Sequence, residues 1–303
     1  FRQSQPSNRG SAGQSECDFS LIDTPMEGMD RVPPPPPVPP PPPAPPPPPA
    51  PPDRLLRDAL ERAGAALGGD GGVRELLLRR PHLQWLLIHR PAPPLIQDGP
   101  QCGLVALWMA AALLTPPHQP APPPVGLGEV LGVARARGFT VHGEMFSAMD
   151  MAALARELFH CQAEVTAGGL EGPNRPRVLQ HLLGGFPLLV PYDKDNNHEP
   201  CCRRGHQAHW AVLTGVLLGT PSPALSPGGG SHGGGPVEGV LVLAQQGKSP
   251  RLQLWDLGGL HTSNTQLMEL SPRRGADGRR YVVPPGGLAE GLGGKAVLLR
   301  PPP

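Results

Sequence analysis

Residues 33–52 read PPPPPVPPPPPAPPPPPAPP, and no packed core can contain them. Proline lacks an amide donor and fixes φ near the polyproline II value, so this stretch is expected to form a stiff rod, roughly 60 Å long at ~3.1 Å per residue. The whole chain carries 46 prolines and 40 glycines in 303 residues, and these cannot all lie in regular elements. The folded part is therefore smaller than the chain. Residues 1–52 are expected to be disordered and proline-rich, and residues 53–303 to form one domain. A plain spacer is one reading of the rod. The other is a ligand for an aromatic-lined groove, and blocks of five prolines without flanking arginine suit a profilin-type groove better than an SH3 groove.

Charge and cysteine usage narrow the classes further. Lys+Arg 26 against Asp+Glu 25 leave a formal charge of +1, so no overall field draws the protein to nucleic acid or to an anionic membrane. No Gly-rich phosphate loop, paired-carboxylate motif or interleaved basic and aromatic pattern stands out, which excludes nucleotide and nucleic-acid functions. The apolar run Leu104–Leu114 is far shorter than the roughly 20 residues that span a bilayer. The N-terminus lacks a charged-then-apolar signal, although the chain begins at Phe1 and the printed start is expected to be a fragment or a translated upstream stretch. Cys17, Cys102, Cys161, Cys201 and Cys202 are an odd set without regular spacing, the usage of a reducing compartment. A soluble, cytoplasmic protein is expected.

Asp53 is a candidate N-cap for DRLLRDALERAGAAL, whose leucines and alanines recur at helical spacing. A second helical stretch is expected over 73–80, and the apolar LQWLLIHR then leads up to LIQDGPQCGLVALWMAAALL. From Leu104 to Leu114 that segment is apolar nearly all round, as in a helix buried on most sides. After a proline-rich loop at 116–124, helices are expected near 125–137 and 147–159, the latter opened by the capping-box pattern Ser147-x-x-Asp150. The second half changes character. FPLLVPY, HWAVLTGVLLG, EGVLVLA, RLQLWDL, RRYVVP and KAVLLR read as short strands of an antiparallel sheet. TPSPALSPGGGSHGGGPV, about 219–238, reads as a disordered insertion joining two paired strands.

Gly99-Pro100 forces a turn immediately before Cys102, Gly103 keeps the backbone slim, and the buried helix follows at once. A thiol at a helix N-terminus meets the positive end of the macrodipole and free amide donors, which is expected to lower its pKa and to provide an oxyanion site. Alone, the cysteine reads equally as buried filler. A base changes that. His209 opens a strand whose remaining residues are apolar, and a cysteine at a helix start facing a histidine at a strand start is the papain-type layout. The expected fold is thus α+β: a helical half carrying Cys102 and an antiparallel sheet carrying His209. His206 is the alternative partner. Gln245, Gln246 and Asp256 are candidates to orient the histidine, with Gln246 retained. For the oxyanion, Gln97 is preferred over Gln101, since it sits one turn back and is placed to reach over the nucleophile. In NHEPCCRRGHQAH, the group His198, Cys201, Cys202, His206 and His209 matches no standard zinc spacing, because vicinal cysteines cannot chelate as Cys-x-x-Cys does, so no metal and no cofactor is expected. Arg203, Arg204 and Lys194 make this loop basic and suited to an acidic peptide.

LIQDGPQCGLVALWMA, GEMFS, CQAEV, GGLEGPNR, PYDKDNNHEPC, AHWAVLTGVLLG, QGKSPRLQLWD and DGRRYVVPPGGL, in this order from Leu76 to Leu299, resemble the actin maturation protease (actin aminopeptidase) family. The resemblance implies a papain-like cytosolic cysteine peptidase that removes the N-acetylated first residue, Met or Cys, of newly made actin. Cys102 matches the family's nucleophile and His209 its histidine. The proline-rich segment is similar to the one by which the family engages profilin, which carries actin. A more distant similarity is to bacteriocin-processing leader peptidases, whose third residue is an Asp on the next strand. Gln245 or Gln246 stands at that place here. A non-catalytic polyproline adaptor and a metal-binding module are the rival readings.

Overall fold

In the computed structural model, residues 80, 82–115, 125–221 and 237–302 are described. The expected polyproline rod, the helices at 53–67 and 73–79, the loop at 116–124 and residues 222–236 of the expected insertion lie outside them.

The apolar LQWLLIH before the cysteine segment is a strand, β1 (Leu83–His89). Three helices follow: α1 (Cys102–Ala111), α2 (Leu127–Ala136) and α3 (Ala148–Phe159). Ser147 caps α3 with its Oγ accepting the Asp150 N–H at 3.1 Å, the first half of the expected capping box. A short strand, β2 (Gln162–Thr166), and a helix, α4 (Arg175–Leu183), complete the helical half. The sheet then builds from β3 (Leu188–Lys194), β4 (Pro200–Cys201), β5 (Ala208–Pro221), β6 (Gly239–Gln246), β7 (Ser249–Asp256) and β8 (Ala296–Arg300). Between β7 and β8 lie α5 (Leu257–Thr265), α6 (Pro272–Ala276) and α7 (Gly287–Gly291).

One of the expected strands does not form. RRYVVP, 279–284, is irregular, because its groups bond and pack against the distant 142–146 segment instead of entering a ladder: Val282 N–H donates to Glu144 Oε1, and Tyr281 meets the rings of His142 and Phe146 edge-on. The insertion is also shorter than expected. Residues 219–221 complete β5, and the Glu238 N–H bonds the Gly219 carbonyl.

All described strand pairs are antiparallel, in the order β2-β8-β3-β5-β6-β7, with β1 on β5 and β4 on β3. Strand β5 is the axis of the sheet. Its first half lies between β3 and β6, its second half between β1 and β6, and the register shifts around Thr214, where the neighbour changes. Alternation along β5 sends Trp210 and Val212 to the face covered by α1, α2 and α3, and Ala211 and Leu213 to the face covered by α4 and α5. Helix α1 is sealed on nearly every side: Leu104, Val105, Ala106, Leu107 and Ala110 have no exposed surface. Truncating Leu104 or Leu107 to alanine is a cavity-forming change of about 2–5 kcal/mol. Among the described residues no helix is long and apolar enough to cross a membrane.

Two buried histidines make this packing acid-sensitive. His181 on α4 holds the Pro187 carbonyl at 3.0 Å through Nε2, and burial pushes its pKa down to about 4. Burial pushes His209 down to about 3. Both folded values lie below the ordinary value of about 6.5, so below pH 6.5 the unfolded chain binds more protons and stability falls as pH falls. Between pH 7.5 and 5.5 the expected loss is about 1 kcal/mol per histidine. Denaturant midpoints at the two pH values check this, and His181→Phe should remove roughly half of the pH dependence.

Candidate active site

Cys102 is the first residue of α1, and the cap residue Gln101 offers no side-chain bond to the helix start. The first intrahelical bond runs from Val105 N–H to the Gln101 carbonyl at 2.9 Å, which leaves the amides of the first turn without helical acceptors. The Gly103 N–H turns to the Cys102 sulfur, as does the Trp210 N–H from β5. Gly103 is required by packing. A Cβ there would lie 2.7 Å from Met151 Cε and 2.9 Å from Met145 Cβ, so only glycine lets the first turn settle this deeply against α3.

His209 begins the fully buried stretch of β5, paired across the ladder with Tyr192, whose ring meets the imidazole edge-on at 5.9 Å. Cys102 and His209 line one cavity of about 270 Å³, together with Gln97, Phe146, Lys194 and Lys248. His206, the alternative base, lines it too, but its Nε2 is held by Glu269 at 3.1 Å.

Gln246, at the end of β6, is the hydrogen-bonding neighbour of the His209 ring and favours its charged form. Gln246 Oε1 accepts the Lys248 N–H, while Gln246 Nε2 and His209 Nε2 are buried without a partner among the described residues. The other candidates point elsewhere. Gln245 donates to the Ala92 carbonyl at 3.2 Å, and Asp256 caps α5 through the Gly259 N–H at 2.8 Å. Gln97 stands at the mouth of the cavity, its backbone N–H on the Gly247 carbonyl at 2.8 Å. One of its Nε2 protons is given to the Gly99 carbonyl at 2.6 Å, leaving the other for a ligand.

The electrostatics reverse one expectation. A helix N-terminus by itself lowers a thiol pKa, yet the Cys102 thiol is pushed up, because burial outweighs the Trp210 and Gly103 amides and the charges of Arg274 and Lys248. With His209 pushed down, the resting pair is neutral thiol and neutral imidazole. Alkylation of Cys102 by iodoacetamide, followed on its own peptide by mass, should therefore be slower at pH 7 than that of an unhindered thiol and should climb with pH beyond 8. A rate that stays flat down to pH 5 would mean a preformed ion pair.

The basic loop has an organiser that sequence reasoning missed. Asp193, fully buried on β3, accepts the N–H groups of Arg203 (2.8 Å), Gly205 (2.7 Å) and Gln207 (2.8 Å) and the Gln266 side chain (2.8 Å). The loop is thus wound around one carboxylate and delivered into β5. The structure separates the three basic candidates: Lys194 lines the Cys102 cavity, whereas Arg203 and Arg204 line an adjoining groove. Arg204 is ion-paired to Glu269. Arg273 and Arg274, unflagged in the sequence, also line the Cys102 cavity. Their only signal was the SPRR run, which has no periodicity to connect it to a cysteine far away in the chain. Among the described residues no three His, Cys, Asp or Glu side chains gather as metal ligands.

The family described as "Actin maturation protease-like, C-terminal domain" matches residues 92–217, a span that includes both Cys102 and His209. The chain is 52% identical to the Actin maturation protease of Bos taurus over 82% of its own length and 77% of that protein's. It is 49% identical to the Mus musculus protein of the same name, covering 82% and 74%, and 47% identical to the Homo sapiens one, covering 82% and 76%.

Proposed function

The chain belongs to the actin maturation protease family, and from that premise we propose that it is a papain-like cysteine aminopeptidase that removes the N-acetylated first residue, Met or Cys, from newly made actin. The observation that carries this reading is the shared cavity of Cys102 and His209, with the Trp210 and Gly103 amides at the sulfur.

The steps follow from the neutral resting pair. As the sulfur approaches the carbonyl of the acetylated first residue, its proton passes to the His209 imidazole and the S–C bond forms. Negative charge collects on the carbonyl oxygen, where the Cys102 N–H and the second Nε2 proton of Gln97 are the donors. His209 then gives its proton to the departing amine of the second residue, the C–N bond breaks and a thioester remains on Cys102. His209 next takes a proton from water, which attacks the thioester, and the acetyl-amino acid leaves as the thiol is restored. Gln246 holds the imidazole in register through each proton transfer. Lys194 and Arg203 attract the acidic residues that follow in the substrate, and Arg204 joins them only where it exchanges its Glu269 partner for a substrate carboxylate. The polyproline segment 33–52 recruits profilin and its bound actin, in the cytoplasm.

The test is release of acetyl-methionine from an acetyl-Met-Asp-Asp-Asp peptide by the whole chain and by Cys102→Ala, with and without a chelator. Release by the wild type alone, unaffected by chelator, is expected. No release by the wild type would favour a polyproline adaptor, and release abolished by chelator a metal-dependent module.

A further inference from the structure

The Cys102 cavity does not end at its own rim. An adjoining groove of about 550 Å³ shares His206, Gln207, Ser271 and Arg273 with it, so the two form one continuous channel. The first part is lined by Lys194, Lys248, Arg273 and Arg274 and the second by Arg203 and Arg204, and among the described residues no Asp or Glu side chain lines either part.

These cations are not equally free. Arg204 is neutralised by Glu269, whose other oxygen holds His206. Arg274 lies over the rings of Phe146 at 5.0 Å and Tyr281 at 5.6 Å. Arg203 is turned toward Cys201. Lys248 and Arg273 pair with no carboxylate among the described residues. Like charges converging on one cleft without a counter-charge repel each other until an anion arrives, and a cleft focuses their field. Cys102 also borders a small cavity of about 10 Å³, lined by Met145, Trp210 and Leu292 and by the charged Glu144 and Arg274.

We propose that this uncompensated positive charge beside Cys102 orients the substrate. The acidic residues after the scissile bond run out along the basic channel, with Arg273 and Lys248 as the specificity-determining contacts. The assignment of the scissile bond to Cys102 rests on the peptidase reading above. Neither contact was legible in the sequence, where Arg203 and Arg204 stood out instead.

The test reads binding without turnover. Fluorescence polarisation of labelled acetyl-Met-Asp-Asp-Asp and acetyl-Met-Asn-Asn-Asn peptides is measured on the whole chain carrying Cys102→Ala. The acidic peptide should bind about tenfold tighter at low salt, the gap closing as salt rises. Arg273→Glu or Lys248→Glu should reduce that ratio about tenfold, whereas Arg280→Glu, the same charge change outside both linings, should move it less than about twofold. Equal binding of the two peptides, or an equal drop with Arg280→Glu, would overturn the proposal. A chain that binds the acidic peptide selectively yet cleaves nothing would support this channel and remove the peptidase reading. One that cleaves both peptides equally well, with no binding preference, would do the opposite.

Discussion

Replacing Cys102 with alanine is expected to lower kcat for acetyl-amino acid release by about 10⁴-fold or more while leaving the chain folded. The reaction as derived has no route around the thiol, because every bond made to the substrate passes through its sulfur. The structural cost is small by comparison. Only one atom is removed from a side chain that already borders the cavity, so a thermal midpoint within a few degrees of wild type is expected. The two readouts together are decisive. A folded variant that retains a tenth of the rate would show that the cysteine is a buried wall and no nucleophile.

The second large effect is at His209. Substitution by glutamine keeps a polar side chain at the start of β5 but removes a group that can accept and return a proton, and a fall in kcat of about 10³-fold with little change in KM is expected. The same variant should be less sensitive to acid than wild type, since the deeply depressed imidazole of about pKa 3 no longer resists protonation in the folded state. A merely structural histidine would give a different pattern, in which rate and stability fall together at every pH. Gln246→Ala should act in the same direction but more weakly, about ten- to a hundredfold in kcat, because it removes the partner of the ring and leaves the ring itself in place.

Much of this site could be read from the chain before any coordinates, for definite reasons. Cys102 was legible because a Gly-Pro turn, a slim Gly103 and a wholly apolar helix are local signals, each readable within a few residues. His209 was legible because it opens the longest strand pattern in the chain, and the Ser147 cap because its partner is only three residues away. What escaped notice depends on long-range placement. Strand β1 follows a proline, Pro81, but its short apolar run fits a helix or a strand equally, and only its pairing with the far half of β5 makes it a strand. RRYVVP carries a strand composition, but Glu144 and the aromatic ring of Phe146 hold it against the helical half instead. Asp193 reads as one more acid in a polar loop until the fold turns three amides onto it. The direction of the Cys102 pKa shift was inverted for the same reason. A helix terminus is visible in sequence, whereas the burial that outweighs it is a property of the packed molecule.

The central claim is that Cys102 carries the first residue of the substrate as a thioester. The most direct measurement mixes wild-type chain with an excess of acetyl-Met-Asp-Asp-Asp peptide, quenches in acid within the first turnover, and reads the mass of the peptide containing Cys102. The account predicts a transient acetyl-methionyl adduct on that peptide alone, gone when substrate is exhausted and missing in Cys102→Ala. Full release of acetyl-methionine with no adduct on Cys102 at any quench time would contradict it.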